Sequence, residues 1–167
     1  MADPLARSMA YFKAQLEDGR IIEAYQGLTA FFRDLRSHFE INCPQYEVPG
    51  SIYFGYLDMT YFSILTPTLK NRLLKVAVVL VYQPFRFEVW LSGRNRKVQE
   101  EVSRTIRQAG WQVYPLTPDP GKADSVLSQV LIEDPEFSDL KDLTARIEKG
   151  TLEFIQAVEA FFSGLAG

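Results

Sequence analysis

The sequence predicts an α+β domain: a mostly antiparallel sheet of four or five strands, flanked by helices from both ends of the chain. Three observations lead there. Apolar residues recur at helical spacing before residue 40 and after residue 138. Between Ser51 and Leu91 the rhythm changes to alternation, the period of a strand. The strand-like segments follow one another directly, as in a meander, rather than alternating with helices.

At the start, Leu5, Met9, Phe12 and Leu16 lie at 4-3-4 spacing and form one stripe of a helix over residues 4–17. Asp18-Gly19 stops it. A second helix is predicted from Arg20 to Phe39, with Ile21, Tyr25, Leu28, Phe32, Leu35 and Phe39 on its apolar face. So short a break implies an antiparallel hairpin of helices. Cys43-Pro44 and Pro49-Gly50 then bracket a loop.

Ser51–Tyr56 and Met59–Leu65 are rich in Ile, Tyr and Phe and read as strands, with Leu57-Asp58 either turning between them or bending one long strand. Thr66-Pro67 ends this segment. Leu73–Tyr82 is apolar on both faces, which predicts a central strand covered twice. After Gln83-Pro84, Phe85, Phe87, Val89 and Leu91 point one way and Arg86, Glu88 and Trp90 the other. Asn95–Gln108 reads as a helix capped by Gly110, Trp111–Leu116 as a short strand, and Ala123–Leu131 as a helix with Val126, Leu127, Val130 and Leu131 inward. Ser138 is the expected N-cap of a last helix, which Gly150 kinks or divides.

Composition bounds the function only loosely. The chain has 167 residues, 47% hydrophobic and 23% charged, the profile of one globular domain. The single Cys43 excludes an internal disulfide, and the single His38 excludes a multi-histidine metal site. The opening Met-Ala-Asp-Pro has neither a basic nor an apolar leader region. The longest apolar run, Val76 to Tyr82, is far short of the ~20 residues a membrane span requires. A cytoplasmic protein that does not cross a membrane is expected, and nothing in the sequence points to a cofactor or metal.

The net charge of −3 is unevenly spread: residues 68–107 hold nine Lys or Arg against three Glu. Within that stretch Arg94, Arg96 and Lys97 gather at the start of a helix, where each cation costs ~0.3–1 kcal/mol against the dipole. A bound anion would turn that cost to use; a solvated charge run offset by Glu100 and Glu101 is the plainer alternative. With Arg86, these cations are candidates for binding an anionic ligand or nucleic acid. Tyr53, Tyr56, Tyr61 and Trp90 are candidates for an aromatic contact surface, whether pocket wall, homodimer face or sheet packing. Arg86, Glu88 and Trp90 form either a polar site on the sheet or an Arg–Glu pair beside a packed Trp under a covering helix. His38 and Cys43 are five residues apart, but sequence alone gives no geometry for a catalytic pair.

Three segments carry a resemblance: Gly50-Ser51-Ile52-Tyr53-Phe54-Gly55-Tyr56-Leu57-Asp58-Met59-Thr60-Tyr61-Phe62, Arg86-Phe87-Glu88-Val89-Trp90-Leu91, and Ile147-Glu148-Lys149-Gly150-Thr151-Leu152. They resemble a small bacterial family of unknown function. The resemblance spans almost the whole chain and implies a bacterial, stand-alone domain with no assigned activity. A second likeness is topological. Helix, meander, helix, strand is similar to the core of restriction-endonuclease-like nucleases, which implies Asp58 and Glu88 as carboxylates holding Mg²⁺. In the matching triplet Glu88-Val89-Trp90, Trp90 stands where those enzymes carry Lys. A neutral indole cannot stabilise developing phosphate charge. The preferred expectation is a non-enzymatic binding or interaction module, with a nuclease-like, possibly degenerate, phosphate-binding protein as the alternative.

Overall fold

The computed structural model describes residues 3–165. The two expected N-terminal helices, α1 (Pro4–Asp18) and α2 (Arg20–Asn42), are present and joined only by Gly19. Its φ of +84° is a left-handed turn that glycine adopts without steric cost. Strands β1 (Ile52–Phe54), β2 (Met59–Ile64), β3 (Leu74–Val81), β4 (Arg86–Gly93) and β5 (Leu127–Glu133) make one sheet in the order β1-β2-β3-β4-β5. Every pairing is antiparallel. Helix α3 (Pro67–Asn71) links β2 to β3, α4 (Arg96–Gln108) follows β4, and α5 (Leu140–Leu165) closes the chain.

One face of the sheet belongs to the core. Phe62, Ile64, Val76, Val78, Leu80, Phe87, Val89 and Leu91 meet Phe32, Leu35 and Phe39 of α2, and Ile147, Phe154 and Val158 of α5, all buried. Aromatic rings knit the layers together. Phe32 stacks on Phe87 at 6.0 Å and meets Phe62 edge-on at 6.4 Å.

The alternating face is different. Met59, Tyr61, Lys75, Ala77, Val79, Glu88, Trp90 and Ser92 occupy it. Strand β3 is the middle strand and is buried on this face as well, as its apolar run predicts. Ala77 and Val79 are buried, and their flanking partners in the register are Tyr61, Ser63, Glu88 and Trp90. Long side chains from the neighbouring strands shelter the centre of this face.

Several local expectations are corrected. Residues 123–131 are not a helix: Leu127–Glu133 is the edge strand β5. Its spacing imitates a helix because the register against β4 slips between Phe87 and Glu88, so that Ile132 and Val130 are paired and Leu131 is extra. Trp111–Leu116 forms no strand and makes only the isolated bridge Leu116–Leu127. Trp111 and Tyr114 turn onto α5 instead, with ring centroids 5.1 Å from Phe161 and 4.9 Å from Phe154. Thr66 does end β2, but its hydroxyl caps the unexpected α3 by accepting from the Leu69 N–H at 3.2 Å. Asp139, not Ser138, caps α5: its Oδ1 accepts from the N–H groups of Lys141 and Asp142. Helix α5 runs through Gly150 without interruption. The turn after β1 holds Leu57 and Asp58, as one of the two readings expected, with Leu57 at φ +60°.

Candidate functional site

The sheet face that the helical core leaves uncovered carries a groove of about 510 Å³. This is within the usual range for small-molecule sites. Each of the first four strands contributes to its wall: Tyr53 from β1, Tyr61 from β2, Lys75 from β3 and Trp90 from β4. The sheet register brings them into line. Tyr53 pairs with Tyr61, and Ala77 with Trp90. The two tyrosine rings stack with centroids 5.0 Å apart and 27° between planes.

The polar end is built where β4 passes into α4. Gly93 is without a side chain because a Cβ there would lie 2.9 Å from the Gln99 backbone nitrogen. That close approach lets Gln99 fold back. Its Oε1 accepts from the Gly93 N–H, and its Nε2 donates to the carbonyls of Pro120 and Ala123. Asn95 caps α4 by accepting from the Val98 N–H at 3.0 Å. The Ser92 hydroxyl donates to the Asp124 carbonyl at 2.7 Å. These bonds hold the loop before β5 against the groove's rim.

The cations at this end differ in what they meet. Arg96 pairs with Asp124 at 3.1 Å. Among the described residues, Lys75 and Arg94 join no ion pair. The Lys75 ammonium lies 5.1 Å from the centroid of the Tyr61 ring, and burial pushes its pKa below the usual lysine value. The phenol of Tyr61 is pushed the other way, chiefly by burial and then by Tyr53 and Asp124. Both shifts have one physical origin: the wall is partly dry, and a charge there is poorly solvated until something pairs with it.

Of the residues singled out from sequence, Tyr53, Asp58, Tyr61, Trp90, Arg94 and Arg96 line this groove. Asp58 sits in the β1–β2 turn, where its Oδ1 accepts from the Met59 N–H at 2.8 Å. Glu88 belongs to a ladder on the same sheet face. Its Oε1 accepts from Arg86 Nε at 2.6 Å and its Oε2 from Trp90 Nε1 at 2.5 Å. Arg86 reaches on to Glu133 at 3.2 Å, and its pKa is raised first of all by the bond to Glu88. Of the two readings of Arg86, Glu88 and Trp90, the Arg–Glu pair beside an anchored Trp is present, but without the expected covering helix: Trp90 lines the open groove. Both Glu88 oxygens are occupied within the fold. Among the described residues no three His, Cys, Asp or Glu side chains are grouped to hold a metal ion. Tyr56 stands fully in solvent at the turn, and Lys97 lies outside the groove lining.

Sequence reading passed over Gln99 and Asp124, whose contributions come through contacts 24 and 28 residues apart in the chain. Sequence groups Lys75 with Lys70 and Arg72 near one end of the sheet as a conceivable phosphate contact. Of these three, Lys75 alone lines this groove.

His38 and Cys43 do not form a reactive pair. His38 Nε2 is bonded to Glu148 at 2.8 Å, and Asn42 approaches its other nitrogen. Cys43 is buried, and burial together with the Glu148 charge raises its thiol pKa. An inert thiol follows, because the thiolate is the reactive form. Labelling with a thiol reagent at neutral pH is expected to be at least ~10-fold slower in the native protein than in urea. Equal rates would contradict this placement.

No described helix is long and apolar enough to cross a membrane. No curated protein and no solved structure was found to match the chain. The model of one family, described as a domain of unknown function (DUF7000), matches residues 5–162. The whole sheet, its groove and all but the outermost residues of α1 and α5 therefore fall within the matched region, and the chain belongs to that family.

Proposed function

We propose that this chain is a soluble, cytoplasmic, non-enzymatic binding module, and that it takes an anionic small molecule bearing a planar ring into the groove on the open sheet face. The observation that carries this reading is the pair Lys75 and Arg94: two cations at one end of a partly dry groove, neither with a carboxylate partner among the described residues. A desolvated ammonium held without a counter-charge is costly, and a bound anion removes that cost. The aromatic side chains supply the other half of the preference. Tyr53, Tyr61 and Trp90 share the groove with those cations, so a flat ring has faces to pack on while the anion reaches Lys75 and Arg94.

Adenosine 5′-monophosphate is a suitable probe, with adenosine and inorganic phosphate as its separated halves. Calorimetric titration at ~50 mM salt should give saturable binding of the monophosphate, at least ~10-fold tighter than adenosine. Affinity should fall at higher salt because the cations are partly exposed and screened. Equal affinity for adenosine and its monophosphate, or no binding of any of the three at millimolar concentration, would overturn the reading.

A further inference from the structure

A second surface of the molecule carries large apolar side chains that are not covered by any of the described residues. Helix α1 has no buried residue. The stripe that sequence assigns to a core (Leu5, Met9, Phe12 and Leu16) is 65%, 52%, 43% and 37% exposed. Separately, an apolar groove of about 530 Å³ is walled by the first half of α2, the β3–β4 turn and the start of α5, with no residue of α1 in its lining. Ile21, Tyr25, Phe85, Phe137 and Leu140 line it and are themselves exposed. Its floor includes Ala24 and Gly27, three residues apart on α2, and nothing lies within 4 Å of a Cβ built on Gly27. Small residues at that spacing are what lets a second helix come close.

We infer that the occupant of this groove is helix α1 of a second copy of the chain, exchanged reciprocally in a two-fold dimer. Two arguments select this occupant over others. The first is fit. The stripe presents one row of large side chains at 4-3-4 spacing, and the groove has a small-residue floor between aromatic walls; one chain supplies both halves, as an isologous interface requires. Within one chain α1 is tethered to α2 by Gly19 alone and buries none of its residues, so its stripe is left in solvent. The second argument is area. Large side chains of about 150–250 Å² each, at exposures from 37% to 65%, leave roughly 900 Å² of stripe and groove in water per copy. Ordinary monomers rarely show apolar patches above about 300–600 Å², and a stable dimer needs about 800 Å² from each partner.

Sedimentation velocity of the full chain between 1 and 100 μM tests this. A dimer is expected, with dissociation constant in the micromolar range or below. Phe12→Glu places a charge in the stripe and Gly27→Leu fills the groove; each should raise the dissociation constant at least ~100-fold. Gly27→Leu also replaces glycine within a helix at a site with open space, so its circular dichroism should stay native and separate blocked docking from misfolding. A monomeric wild type at 100 μM, an open-ended series of oligomers, or a dimer unmoved by both folded variants would overturn the inference.

Discussion

Phe32→Ala is expected to destabilise the protein by about 3–5 kcal/mol. Phe32 has no exposed surface and is the ring through which α2 meets two strands, touching Phe62 of β2 and Phe87 of β4. Truncation removes the transfer free energy of the ring and leaves a cavity that helix and sheet, each tied into other contacts, cannot close. A domain of this size has about 5–15 kcal/mol in total, so the loss should be visible as a fall of roughly 10 °C in melting temperature. Urea titration gives the same quantity as a lowered midpoint at unchanged slope. Tyr56→Ala is the control. That residue is 97% exposed, and a change within about 0.5 kcal/mol is expected. A loss below about 1 kcal/mol for Phe32→Ala would contradict the placement of α2 on the sheet.

The second large effect concerns the groove. Removing both unpaired cations, as Lys75→Met with Arg94→Ala, should weaken binding of adenosine 5′-monophosphate about 100-fold, since a hydrogen bond to a charged group is worth roughly 1.5–3 kcal/mol. Arg96→Ala should cost less, because Arg96 already pairs with Asp124. The pH dependence follows from Lys75. Burial lowers its pKa, so on raising the pH it loses its charge earlier than a free lysine with its value of 10.5. Anion binding needs the protonated form. Affinity should therefore fall as pH rises, and the fall should set in at lower pH than for a lysine at its ordinary 10.5. Lys75→Arg should flatten that fall, because guanidinium keeps its proton throughout. An identical pH profile for wild type and Lys75→Arg would show that another group governs the titration.

What sequence made legible here was local. The alternation from Phe85 to Leu91 and the apolar run of Leu73–Tyr82 correspond to β4 and β3. The stripe in residues 4–17 does form a helix, but periodicity reports a face and not what covers it, and no core residue of this chain covers α1. Strand β5 was misread because its bulge opposite Phe87 and Glu88 breaks the period of two on which strand recognition depends. The groove was half legible. Residue type picked out Tyr53, Tyr61, Trp90 and Arg94, but their convergence depends on pairing across four strands, which local pattern does not contain. Arg94 and Arg96 look equivalent in sequence; only folding shows that Asp124 neutralises one and not the other.

The most direct test is a titration of ¹⁵N-labelled protein with adenosine 5′-monophosphate, followed through amide and indole resonances. The largest saturable shifts should fall on Lys75, Gly93, Arg94 and Asn95 and on the Trp90 indole, which share the groove. Shifts confined to α1 and α2 or to another surface, or none at millimolar ligand, would contradict a binding site on the open face of the sheet.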